Sequence, residues 1–101
     1  MKPAPTLLHI STSRARIAVG RSVPGGFLVY AGSRAAADPK PSTPASALRV
    51  RTALVDAGVL VPDGDGQLAF AQDFVFNTAS SAAFVVMGLA ANGKTQWKPL
   101  A

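Results

Sequence analysis

The stretch Arg14-Ala15-Arg16-Ile17-Ala18-Val19-Gly20-Arg21-Ser22-Val23-Pro24-Gly25-Gly26-Phe27-Leu28-Val29-Tyr30-Ala31 decides how the chain is read. Arg14 to Val19 alternates with a period of two, which is the repeat of a half-buried strand. Ala15, Ile17 and Val19 form the expected inward side, and Arg14, Arg16 and Ala18 the open one. Val23-Pro24-Gly25-Gly26 is a turn. Phe27 to Ala31, rich in aromatic and β-branched residues, is a second strand. So short a gap joins the two most simply as an antiparallel hairpin.

Downstream of the hairpin, Ala35 to Pro44 holds Pro39, Pro41 and Pro44 and reads as a loop. It ends in a helix start, with Thr43 as N-cap and Pro44 in the first helical position. This helix is expected to run to Ala57, with Gly58 just past its end. Ala47, Val50, Leu54 and Ala57 share its apolar face, while Arg49, Thr52 and Asp56 share a polar one. Arg51 breaks the pattern by lying inside the apolar arc, and Asp73 is the expected partner for its charge, because an unpaired buried charge costs several kcal/mol. Val59-Leu60-Val61 is a short strand, Pro62-Asp63-Gly64-Asp65-Gly66 a turn, and Leu68/Phe70 and Phe74/Phe76 alternate again. A second helix begins at Asn77 or Thr78 and is expected to end at Asn92-Gly93. Ala82, Val85, Val86 and Leu89 lie on one side of it, but Phe84 and Met87 lie on others. A helix apolar nearly all round is either buried or part of an interface.

These elements predict an α+β domain: a small antiparallel sheet of about four to six strands packed with two helices, the second lying across the sheet. The domain spans residues 14–101. Residues 1–13 are an N-terminal extension in which Leu7, Leu8 and Ile10 form a short strand. The chain has 101 residues, which allows one core, and a chain of this size buries roughly 60–68% of its unfolded surface. It contains no Cys, so a disulfide framework and a thiolate metal site are excluded. No secretory signal is evident, since Lys2 is followed by Pro3 and Pro5. Ala82 to Ala91, the longest apolar run, is about half of the ~20 residues that span a bilayer. The expected compartment is the cytoplasm, with no membrane partner.

The residues are poor in catalytic chemistry. All five acids are Asp and His9 is the single imidazole, so no Ser/His/Asp triad can be argued, and the one pair of Asp that qualifies by sequence as paired carboxylates is Asp63 and Asp65. Asp63 and Asp65 sit in the sequence a turn requires, and no further oxygen ligands follow for calcium. Gly25-Gly26 and Gly32-Ser33 lack the Lys and the spacing of a phosphate loop. No enzyme activity, metal or cofactor is therefore expected. Binding chemistry remains. Ten Lys+Arg against five Asp give a net charge of +5, grouped as Arg14, Arg16, Arg21 and Arg34, then Arg49 and Arg51, then Lys94 and Lys98. Asp63, Asp65 and Asp73 gather between the last two groups, which allows a basic side and an acidic side. Guanidinium groups pair with phosphates or with guanine edges, and the Asn92 amide matches an adenine edge. Trp97 has two readings, a base-stacking platform or a core residue. Asn92-Gly93 likewise suits a helix C-terminal turn.

Three motifs, in order, resemble the domain-of-unknown-function 4357 family. Gly26-Phe27-Leu28-Val29-Tyr30-Ala31-Gly32-Ser33-Arg34 is similar to its hairpin strand, and Arg51 to Leu60 to its first helix end. Phe74-Val75-Phe76-Asn77-Thr78-Ala79-Ser80-Ser81-Ala82-Ala83 and Asn92-Gly93-Lys94-Thr95-Gln96-Trp97-Lys98 are similar to its last third. That family is similar to the RAMA domains of restriction and modification systems, and its members often follow nuclease domains such as GIY-YIG. The resemblance implies a non-catalytic DNA-binding accessory module of such a system, one that senses modified DNA, with duplex DNA and a separate nuclease or methylase as partners. The expected contact residues, from the charge pattern and the resemblance together, are Arg14, Arg16, Ser33, Arg34, Arg51, Ser80, Asn92, Lys94, Trp97 and Lys98. Two positions depart from the pattern. Ala79 replaces the family's proline at the helix start, where the cap survives on Thr78. Lys94 replaces its first Trp, which favours phosphate contact over base stacking there. The alternative reading, from the apolar breadth of the second helix, is a protein-interaction or homodimerisation module.

Overall fold

The Pro24-Gly25 pair turns the chain as expected. Gly25 has φ 84°, and Pro followed by a positive-φ Gly is the residue pair of a type II turn. Either side of it, β2 (Arg16–Val23) and β3 (Gly26–Val29) pair antiparallel with Val23 opposite Gly26 and Gly20 opposite Val29. The structure, a computed structural model, describes residues 7–11, 16–37, 40–63, 67–88 and 97–99. The remaining elements are β1 (Leu8–Ser11), β4 (Arg34–Ala36), α1 (Ala45–Asp56), β5 (Leu60–Pro62), β6 (Gln67–Phe70), β7 (Phe74–Phe76), α2 (Ala79–Met87) and β8 (Lys98–Pro99).

The class is α+β, with two helices and antiparallel sheets. The strands divide into two sheets, one of five in the order β7-β3-β2-β1-β8 and one of three in the order β4-β6-β5. The chain leaves the larger sheet at Val29, enters the smaller one at Arg34, and returns between Phe70 and Phe74. Those two crossings are tied together. Ala31 N–H donates to Asp73 Oδ1 at 2.8 Å, Gly32 N–H to the Phe70 carbonyl at 2.9 Å, and Phe70 N–H to the Ser33 carbonyl at 2.7 Å. Asp73 is thereby committed to the crossing. It is not the partner expected for Arg51, whose Nη2 donates instead to the Ala37 carbonyl. The segment expected to be a loop from Ala35 contains β4, held by pairing to β6 with Ala35 opposite Leu68.

The inner face of the larger sheet is covered by α2, which also packs against β4 and α1. Ala82, Ala83, Val85 and Val86 are buried, and Phe84 and Met87 are partly buried against the same core. The apolar breadth of α2 is therefore used inside the chain, between sheet, strand and helix. The helix is shorter than expected: it closes at Gly88 (φ 66°), whose N–H reaches the Phe84 carbonyl, and not at Asn92-Gly93. Its start is as expected, with Thr78 Oγ1 accepting from Ser81 N–H at 3.0 Å.

Two details of the other elements correct the sequence reading. First, α1 starts one residue later than expected. Pro44 is its N-cap and Thr43 makes no cap, its buried Oγ1 having no partner among the described residues. The other end matches. Gly58 N–H bonds to the Val55 carbonyl and Val59 N–H to the Leu54 carbonyl, the two bonds of a Schellman motif, with Val59 and Leu54 both buried. Ala57, placed on the apolar face by the wheel, is exposed at that end. Second, the faces of β2 are reversed. Ala18 is 1% exposed and Gly20 is buried, while Ile17 and Val19 are half-buried on the other side. The inner side is filled from β3 and β7 by Phe27, Val29 and Phe76, so β2 contributes only small residues there. A Cβ on Gly20 would lie 2.6 Å from Cε1 of Phe27 and meet the Leu28 carbonyl. Alternation by size misleads when the inward position must be small.

Candidate nucleic-acid interface

Cross-strand partners share a face, so the register fixes what the outer side of the five-stranded sheet presents. Val75 lies opposite Leu28, and Leu28 opposite Arg21. Val19 lies opposite His9, and His9 opposite Lys98. Tyr30 continues the row beside Val19, its N–H bonded to the Val19 carbonyl at 3.0 Å. None of these residues is buried, and Val75 is 49% exposed. Among the described residues neither helix lies on this side. The strand residues that face this way include Arg21, His9 and Lys98, and an exposed carboxylate, that of Asp73, stands just before β7 and accepts from Ala31 N–H.

The best-defined feature of the face is a pair. Arg21 Nε donates to the Tyr30 hydroxyl at 2.8 Å. Beside Tyr30 is an open cavity of about 250 Å³ lined by Ile17, Val19, Tyr30, Ala31 and Gly32, with Ser33 at its back. Its rim is rigid. Ser33 N–H bonds to the Tyr30 carbonyl at 3.2 Å, and Ser33 Oγ accepts from Val19 N–H at 3.1 Å while donating to the Val19 carbonyl at 3.3 Å. Ser33 is 5% exposed, so it serves as a clamp behind the cavity.

The other expected contact residues fall in several places. Arg34 pairs with Asp63 at 3.0 Å in the smaller sheet, so the basic and acidic groups meet there instead of occupying opposite sides. Arg51 is half-buried and turned to Ala37. Trp97 is 5% exposed; its Nε1 donates to the Ala79 carbonyl at 2.9 Å and its ring centroid lies 4.6 Å from that of Phe27. Its role is to tie the chain end to the start of α2 and to the core, the second of the two readings. Ser80 is half-buried in the first turn of α2. Lys98, next to Trp97 and pointing the opposite way, is exposed on the outer face beside His9. Arg16 opens β2, and its side chain lies outside the description; Arg14, Asn92 and Lys94 lie outside the described residues altogether.

Sequence reasoning missed Arg21 and Tyr30 as a pair. The signal was present: counting outward from the Pro24-Gly25 turn places Arg21 opposite Leu28 and Tyr30 one step diagonal to it, within reach of long side chains. His9 Nδ1 and Ser11 Oγ are hydrogen-bonded at 2.6 Å, two residues apart on an exposed strand. Among the described residues no carboxylate orients that imidazole, and no group of three His, Cys, Asp or Glu is placed to hold a metal.

The chain is a small α+β domain with one sheet face covered by α2 and the other covered by no described helix. The chain belongs to the family described as Domain of unknown function (DUF4357), whose model matches residues 8–101. Neither a curated protein nor a solved structure matches it. No described helix is long and apolar enough to cross a membrane.

Proposed function

We propose that this chain is a non-catalytic DNA-binding module whose contact surface is the outer face of the five-stranded sheet. The observation that carries the reading is that this face combines Arg21, Lys98 and His9 with the Tyr30 ring and is covered by no described helix, while the exposed carboxylate at its rim, that of Asp73, is engaged by Ala31 N–H. Cations set on a rigid sheet attract a polyanion and gain by releasing its counterions. An accessory place beside a restriction, modification or nuclease protein rests on the family resemblance. The homodimer alternative drew on the breadth of α2, which is taken up within the chain.

The test is a titration of labelled DNA by fluorescence anisotropy at rising salt. Neutralising about three phosphates gives a log–log slope of about −3. Binding that ignores salt, or no binding at low ionic strength, overturns the proposal.

A further inference from the structure

We propose that the DNA this face takes is single-stranded, with one base stacked on Tyr30 in the cavity and its phosphate held by Arg21. The inference rests on the reading that the sheet face binds DNA, and it replaces the duplex expected from the resemblance. The middle of the face decides the strandedness. Ile17 and Val19 continue from Arg21 along β2, and Leu28 and Val75 extend this apolar surface over the two strands on the side of Arg21 away from His9 and Lys98, with Val75 half exposed. A duplex turns phosphates and sugars outward and seals the flat sides of its bases within the stack, so against this surface it would lose hydration and gain little. An unpaired strand offers base faces to aromatic and aliphatic groups and phosphates to the cations at the same time.

The size and stiffness of the cavity fit one base. At about 250 Å³ it falls below the roughly 300–1,000 Å³ of sites for drug-sized ligands. The Tyr30 hydroxyl fixes the Arg21 guanidinium through Nε, and among the described residues its two terminal nitrogens have no partner. They remain available as a fork for phosphate oxygens. The bonds of Ser33 to Val19, of Asp73 to Ala31 and of Phe70 to Gly32 already order the rim, so binding has little backbone entropy to overcome. His9 and Lys98 lie on the next two strands, about 5 and 10 Å across the sheet, in line for the following phosphates.

The experiment compares a labelled oligothymidylate of about 12 nucleotides, within the range of site sizes for such surfaces, with its duplex on oligoadenylate. At about 50 mM salt the single strand is expected to bind at least tenfold more tightly than the duplex. Tyr30→Leu is expected to weaken single-strand binding by about 5- to 100-fold, the span of base–aromatic stacking, and Tyr30→Phe by less, since it keeps the ring and loses only the hydroxyl that holds Arg21. Circular dichroism melts check that both variants fold. Independently of any variant, ultraviolet crosslinking of an iododeoxyuridine oligonucleotide to the unaltered protein is expected to label Tyr30. Equal or tighter duplex binding that Tyr30→Leu leaves unchanged overturns this inference while the DNA-binding reading stands. Crosslinks confined to residues off the face also overturn it. Absence of binding to either DNA overturns both.

Discussion

Thr43 shows how a residue with an obvious local role can have another. Its hydroxyl stands one position before Pro44, where a sequence places an N-cap, yet it bonds to no backbone N–H of α1. The residue is 7% exposed and its Oγ1 has no partner among the described residues. A buried hydroxyl without a partner carries its desolvation cost uncompensated. Thr43→Val keeps the shape and removes that polar atom. It is expected to leave stability unchanged or raise it by up to about 1–2 kcal/mol in urea or thermal unfolding. An N-cap would give the opposite sign, a loss of about 1 kcal/mol. A measured loss of that size would show that the hydroxyl has a partner after all. Arg51 is the companion case: its Nη2 donates to the Ala37 carbonyl, and its Nε is buried without a partner among the described residues.

Among the elements, those with chemical punctuation were legible. Pro24-Gly25 marks the hairpin, Gly58 the end of α1 and Thr78 the start of α2, because each residue type acts within its own turn. What the sequence does not show is set by distant partners. Arg34-Ala35-Ala36 has weak strand propensity and becomes β4 only through β6. Gly88 ends α2 from inside an apolar run, where no polar neighbour announces a stop. The reversal of β2 follows from the bulk of Phe27 and Phe76 on neighbouring strands. Half of the site had the same difficulty, since Arg21 and Tyr30 meet across the hairpin. The joint between the two sheets is testable through Ser33, which satisfies both backbone groups of Val19 from the far side of the crossing. Ser33→Ala leaves Val19 N–H without that acceptor, and the expected loss is about 1–3 kcal/mol in equilibrium unfolding. An unchanged midpoint would mean that the crossing is held without this clamp. Because the clamp also backs the Tyr30 cavity, single-strand affinity is expected to fall in the same variant while folded.

For the whole molecule, the net charge of +5 overstates what a ligand meets in any one place. Arg34 is tied to Asp63 and Arg51 to a carbonyl, both away from the open face. Arg49 is exposed on α1, which packs against α2 and β5 and not on the outer side of the larger sheet. Lys98 is exposed on that outer side, in register with His9. The two residues separate a local interface from a general attraction. Lys98→Glu and Arg49→Glu change the net charge equally, so a long-range field would respond to both alike. A face-specific contact responds to one. Lys98→Glu is expected to weaken DNA binding by roughly tenfold and to lower the salt slope by about 1, as loss of a phosphate contact does. Arg49→Glu is expected to stay within about twofold of the unaltered protein at ~150 mM salt, where the Debye length is only about 8 Å. Equal losses in the two variants would move the interface off the sheet face and leave net charge as the cause of binding.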